Sequence, residues 1–202
     1  MLGIGDVGCC FLFCGAFVSI KGIRPGHVEC TEGRGGIGMS DILKLYHYHR
    51  WANEQVIQHL KTLPAASLQQ KLDSVFPTVN VVLVHIYRAD YIWLHVLYGE
   101  TYEQIISQFD QFEKLDGDFE AIEHRMTELD KEYSEFLREL ENTEGPISIS
   151  HPRMGTLRTT YADVIRHVVN HGTYHRGNIS AMLHQMGYKS VPTDYIFFSY
   201  ES

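Results

Sequence analysis

The sequence predicts an all-α protein whose main part is a four-helix bundle, with a short hairpin or loop before the last helix. Apolar residues recur every three or four positions in four separate segments, the pattern of amphipathic helices that pack on a common core. No long strand pattern interrupts them, and such helices bury their apolar faces against one another. The 202 residues are 44% hydrophobic, which suits one well-packed domain.

The predicted helices are bounded by residues that start or stop helices. Their spans are approximately residues 40–63, 78–98, 118–144 and 160–187. Ser40 is the predicted cap of the first helix, and Pro64 ends it because proline lacks the backbone donor. Thr160 and Asp163 form a predicted capping box at the start of the fourth helix, and Gly187 occupies the position of a C-terminal glycine.

The connecting segments complete the predicted fold. Residues 147–160 alternate apolar and polar side chains, which favours a short hairpin. The link between the second and third helices is long enough for a crossover connection. The aromatic tail, residues 192–200, is expected to pack on the bundle.

The fourth helix contains two histidines at the spacing of a metal-binding pair. His171 and His175 are four residues apart, so both imidazoles lie on one face and can reach one ion. They belong to the apolar face that packs on the core, where an unpaired imidazole is costly. The alternative is a pair of hydrogen-bonded core histidines. The residues of this face are Val164, Val168, His171, His175, Ile179, Met182 and Met186.

A third ligand is expected from another buried helix, and His85 is the candidate. It lies midway along the apolar second helix, although a hydrogen-bonded core histidine is again the alternative. His167 lies one turn before His171 and is either a supporting group or a competing ligand. We interpret His49, with several other helical histidines, as a surface or rim residue. Gly177 is unfavourable inside a helix, and close approach of a neighbouring helix is one reason to tolerate it.

Charge and hydropathy exclude two classes of partner. The formal net charge is −8 and the basic residues form no stripe, which argues against nucleic-acid binding. No stretch of eighteen consecutive apolar residues is present, so no membrane-spanning helix is expected.

Residues 1–38 differ from the remainder, residues 39–202. They are glycine-rich, show little periodicity and contain Cys9, Cys10, Cys14 and Cys30, which have no metal-ligand spacing. The apolar stretch of residues 7–20 follows Asp6 rather than a basic residue, unlike a signal peptide. Residues 32–36 are of the types that purine-rich codons specify, as in a ribosome-binding site, and Met39 follows closely. We interpret the segment as a non-native extension produced by a misplaced start; a disordered or secreted leader is the alternative.

Residues 39–202 resemble the DinB family, whose members share the DinB/YfiT-like four-helix bundle. The matching stretches are Tyr48-His49-Arg50-Trp51-Ala52-Asn53, Leu83-Val84-His85-Ile86 with Trp93, and the segment His167-Val168-Val169-Asn170-His171-Gly172-Thr173-Tyr174-His175-Arg176-Gly177-Asn178-Ile179. The last is the most specific, with Asn178 where many members carry glutamine. The resemblance implies that His85, His171 and His175 bind a divalent metal. His167, Asn170 and Tyr174 are expected to orient these ligands.

The resemblance also sets expectations for chemistry. Three imidazoles leave at least one coordination position open, where a metal activates a water or a thiol. Zinc, nickel, iron and manganese all accept imidazole. The first functional hypothesis is a cytoplasmic enzyme that transfers a low-molecular-weight thiol to a small-molecule substrate, or hydrolyses one. The second is a non-catalytic, damage-inducible metal-binding protein of the stress response. A homodimer is expected for either, whereas a di-iron centre would need Glu-x-x-His motifs that are missing.

Overall fold

The computed structural model describes residues 39–201. The interpretation of residues 1–38, with their four cysteines, lies outside the described residues. The elements are α1 (Met39–Lys61), a 3-10 helix (Ala65–Gln69), α2 (Val79–Leu97), α3 (Tyr102–Ile106), α4 (Asp110–Glu113), α5 (Phe119–Glu139), β1 (Pro146–His151), β2 (Gly155–Thr160), α6 (Tyr161–Gln185) and α7 (Tyr195–Glu201).

The predicted helical class is confirmed, with more helices than the four predicted. α1, α2, α5 and α6 correspond to the predicted segments, and the long link between α2 and α5 contains the short α3 and α4. The predicted hairpin is present as antiparallel β1 and β2, paired from Pro146 opposite Thr160 to His151 opposite Gly155. Gly155 has a φ of 79°, which permits the turn between the strands.

Side chains at the helix termini explain where the long helices begin and end. The Thr160 hydroxyl accepts a hydrogen bond from the Asp163 backbone amide at 3.2 Å, as the sequence predicts. Thr78 caps α2 through Val81 in the same way. Gly187 ends α6 with a φ of 83°, the left-handed conformation that glycine adopts without strain.

The core lies where α6 packs against α1 and α2, and where α2 packs against α5. Tyr46 of α1 stacks on Tyr133 of α5 with ring centroids 4.7 Å apart. The Tyr133 hydroxyl donates to the backbone carbonyl of Asp90 in α2 at 2.7 Å. The largest side chains with almost no exposed surface are Ile42, Tyr46, Leu60, Leu83, Ile86, Leu94, Ile122, Tyr133, Leu137, Ile165, Ile179 and Met182.

The aromatic tail packs on α1. Phe198 is buried, and its ring lies 5.8 Å from that of Trp51. The indole nitrogen of Trp51 donates to Glu201 at 2.8 Å. Across residues 39–201, none of the helices combines the length and the hydropathy needed to cross a membrane.

Candidate metal centre

Three histidines from two helices meet between α2 and α6. Their candidate ligand atoms, from His85, His171 and His175, all lie within 4.8 Å of one another. The Nε2 atoms of His85 and His175 are 3.0 Å apart. The ring centroids of His171 and His175 are 4.3 Å apart, as expected for residues one turn apart on a helix. The structure therefore brings together the three residues that the sequence singled out.

The geometry fits a divalent cation. Two imidazole nitrogens that share a tetrahedral ion at roughly 2.0–2.1 Å lie about 3.3 Å apart, close to the His85–His175 separation. The three residues are only 9%, 9% and 6% exposed. The Nδ1 atom of His171 is buried without a hydrogen-bond partner, an arrangement that an apolar site penalises. These observations favour a ligand set over a pair of ordinary core histidines.

Burial keeps these imidazoles in the protonation state that binds metal. Loss of solvent, with smaller contributions from His175 and Arg88, lowers the pKa of His85 to about 3. Burial also lowers the pKa of His171 to about 2 and that of His175 to about 4. A ligating imidazole has to be neutral, so at pH 7 the cluster does not need to release protons before it binds a cation.

The second ring nitrogen of His175 has a partner on the same helix. Asn178 Nδ2 lies 3.1 Å from His175 Nδ1. A 180° rotation of the amide would bring its carbonyl oxygen to this position, where it accepts the Nδ1 proton and leaves the Nε2 lone pair for a metal. In the sequence, Asn178 is distinguished only as a difference from related chains. Its position three residues after His175 was the signal for this role.

Aromatic rings surround the histidines. The Phe76 ring lies 5.1 Å from His85 and 5.4 Å from His175, between centroids. His167 is half-buried; its ring is 4.6 Å from Trp93 and 6.0 Å from His171. Burial lowers the pKa of His167. These rings limit the access of water to the cluster.

The remaining two residues predicted to orient the ligands have less support. Asn170 is exposed, whereas a group that orients a buried ligand has to lie beside it. Tyr174 is 67% exposed, and its ring meets that of His175 edge-on with centroids 4.9 Å apart. Asn178 therefore replaces Asn170 as the polar neighbour of the cluster on α6.

A polar network lies inside the bundle beside the cluster, and the interpretation of His49 as a surface residue is wrong. His49 is fully buried, and its Nε2 lies 2.9 Å from Asp90 Oδ2 and 3.0 Å from Asn53 Nδ2. Arg176 donates to Asn53 Oδ1 at 2.8 Å. The signal was in the spacing, because His49 and Asn53 continue the buried face of α1 that begins at Tyr46.

The two interior glycines of α6 have different roles. A Cβ at Gly172 would lie 2.4 Å from His49 Cε1, so this glycine allows α1 to approach α6 closely. At Gly177 a Cβ would meet no atom within 4 Å. Close approach of a neighbouring helix is therefore the wrong explanation for Gly177. That close approach occurs at Gly172 instead.

Comparison with known proteins places this arrangement in a family. The family model described as DinB family matches residues 39–202, a range that contains both histidine-bearing helices. The chain belongs to the DinB family. A curated relative, Protein DinB of Bacillus subtilis (strain 168), is 42% identical over 160 residues. The aligned region covers 78% of this chain and 93% of that relative.

Proposed function

We propose that this DinB family protein binds a divalent metal through His85, His171 and His175 and uses it to act on small molecules. The proposed reaction is transfer of a low-molecular-weight thiol to an electrophile, or hydrolysis. One observation carries the proposal: three candidate imidazole ligand atoms lie within 4.8 Å of one another in a buried site.

The size of the ligand set favours catalysis. In the described part of the chain, the cluster consists of three histidines without a fourth His, Cys, Asp or Glu. Structural zinc sites are closed by four protein ligands, whereas catalytic sites keep a position for water or substrate. A bound divalent ion supplies Lewis acidity in that position and favours the deprotonated form of a water or thiol.

The protein's own groups have defined tasks in this proposal. Burial holds the imidazoles neutral, and Asn178 fixes the orientation of the His175 ring. Phe76 exposes an apolar wall to the cluster, which favours an apolar electrophile or the carbon chain of a thiol. The rings of Trp93 and His167 contact each other and cover another side of the histidine cluster.

The proposed activity is tested with a fluorogenic electrophile and a panel of thiols. Monobromobimane is incubated with cysteine, glutathione, bacillithiol or mycothiol and with metal-loaded protein, and conjugation is followed by fluorescence. We expect turnover with one thiol, its loss on chelation and its loss in His171→Ala. His184→Ala is the matched control, because His184 is exposed on the same helix. A parallel assay with simple esters tests hydrolysis.

The second candidate is a non-catalytic metal-binding protein of the stress response. The exposed fractions of 9%, 9% and 6% favour it, because a deeply buried ion is hard for a substrate to reach. Fully metallated protein that turns over neither thiols nor esters would support this candidate and contradict the enzyme proposal. Wild-type protein without metal would contradict both.

A further inference from the structure

A cavity of about 300 Å³ lies on a different face of α6, between α1 and the segment before α7. Its wall includes Arg176 and Gly177 of α6, Tyr48 of α1, and Ser190 and Asp194 of the following segment. Arg176 comes five residues after His171. At about 100° per residue it therefore lies roughly 140° around the helix from that histidine. His85, His171 and His175 are not among the residues that line the cavity, which is therefore distinct from the histidine cluster.

Arg176 is a buried cation that forms no ion pair with a carboxylate of residues 39–201. It is 3% exposed, and its guanidinium donates to Asn53 Oδ1 and to Thr173 Oγ1, each at 2.8 Å. It also lies 3.5 Å from His49 Nδ1 and 5.6 Å from the centre of the Tyr48 ring. In the described part of the chain, Arg176 takes part in none of the ion pairs within 4.0 Å. The Asp90 carboxylate forms its hydrogen bond with His49 and acts on Arg176 electrostatically, without direct contact.

The hydrogen-bonding capacity of this guanidinium is also incomplete. Its Nε atom is buried without a partner. An unpaired charge in a protein interior is strongly unfavourable unless an opposite charge or a full set of hydrogen bonds compensates it. A small anion in the adjacent cavity would supply both.

Gly177 provides an independent indication that the cavity is kept open. Glycine is unfavourable in a helix interior. A Cβ at this position would meet no protein atom within 4 Å, so the glycine is not required by packing. Any larger side chain would project beside Arg176 and occupy the cavity. The missing side chain leaves room for a ligand to approach the α6 backbone.

We propose that this cavity binds a small oxyanion, a phosphate or a carboxylate, through the guanidinium of Arg176. Arginine suits this group because its planar donors match two oxygens of a carboxylate or phosphate. Ser190 accepts a hydrogen bond from Ser180 at 2.9 Å and keeps its own hydroxyl proton to donate to the anion. Asp194 is the one carboxylate among the residues that line the cavity, and it opposes binding.

The proposal is tested by NMR on the full chain, with the Arg176 side-chain Nε–H resonance as the reporter. Sodium phosphate and sodium acetate are titrated separately at constant ionic strength, into metal-free and into zinc-loaded protein. We expect a saturable shift with the same midpoint in both forms, because the anion does not contact the histidines. Saturation with one of the two anions assigns the site to that class, and saturation with both assigns it to oxyanions generally. Saturation with neither overturns the proposal.

Variants of the wall distinguish this cavity from other places where an anion could bind. Substitution of Arg176 would disturb the buried network, so Gly177→Leu is used to fill the cavity and leave the guanidinium in place. It should abolish the saturable shift. Asp194→Asn should tighten binding about threefold by removing a like charge. An unchanged midpoint in Gly177→Leu, with the fold verified by circular dichroism, would show that the anion binds elsewhere.

Discussion

The Nε2 atoms of His85 and His175 lie 3.0 Å apart, although 90 positions separate these residues in the chain. α2 and α6 therefore pack with these two positions facing each other. Two neutral imidazoles at this distance share at most one proton, whereas a cation satisfies both lone pairs. This contact is the basis of the first prediction.

Substitution of one histidine should remove the metal. A three-ligand site loses most of its affinity for metal when one ligand is removed. We therefore expect His171→Ala to retain little metal after dialysis. Wild type and His184→Ala, an exposed position on the same helix, should retain about one equivalent. Elemental analysis of the three proteins measures this. Equal metal in wild type and His171→Ala would exclude the assignment.

Removal of the metal should lower stability without unfolding the bundle. The core is extensive and lies on several helices, so the fold does not depend on the metal as a zinc finger does. Binding to the native state stabilises it by about 2.7 kcal/mol at a free metal concentration of 100 times the Kd. For a domain of this size that is a Tm shift of roughly 5–10 °C. Thermal melts monitored by circular dichroism, with metal and with chelator, test both statements.

Alanine substitution at the two interior glycines of α6 should change the stability of the protein in opposite directions. Gly172→Ala places a Cβ 2.4 Å from His49 Cε1, and overpacking of this kind costs about 1–3 kcal/mol. Gly177→Ala meets no atom within 4 Å and should stabilise the helix by about 1 kcal/mol. Urea denaturation measures both changes. Combining Gly172→Ala with His49→Ala should cost less than the two single changes together, since the second removes the contacts at 2.4 and 2.7 Å and leaves only Arg176 Nη1, 2.9 Å from the added Cβ. Strict additivity would argue against the contact.

The sequence predicted the positions of the long helices and of the candidate histidines better than it predicted the buried polar groups. Apolar periodicity located the long helices, and the residue types at their ends predicted the Thr160 cap of α6 and its final glycine. The reciprocal bond of the predicted capping box is replaced by hydrogen bonds that Asp163 accepts from Thr159 and Arg166. Interior position on two apolar helices made His85, His171 and His175 candidates, with hydrogen-bonded core histidines as the alternative, and the resemblance to the DinB family singled them out as ligands. The burial of His49 could have been predicted from its spacing on the apolar face of α1, whereas its partner Asp90 could not, because it lies 41 positions away and long-range pairing leaves no local pattern. The roles of the glycines likewise depend on which helix is adjacent, and local sequence does not specify that.

Asp130 should make stability depend on pH in the opposite sense to an ordinary carboxylate. Burial is the main cause that raises its pKa from 3.8 to about 6, and the Tyr46 hydroxyl donates to its Oδ1 at 2.9 Å. The folded state therefore favours the protonated form. Its contribution to stability is complete below pH 3.8 and is lost as the pH rises through about 6.

Replacing this carboxyl with an amide should remove that dependence. Asp130→Asn keeps an acceptor for Tyr46 and cannot ionise, so it should be more stable than wild type at pH 8 by on the order of 1–2 kcal/mol. At pH 4 the difference should be close to zero, because the wild-type carboxyl is then protonated in the folded protein. Asp116→Asn, at an exposed carboxyl in the link before α5, is the matched control. Urea denaturation across this pH range measures the difference in stability. If wild type instead becomes more stable relative to Asp130→Asn as the pH rises, the fold stabilises the ionised carboxylate and the prediction is wrong.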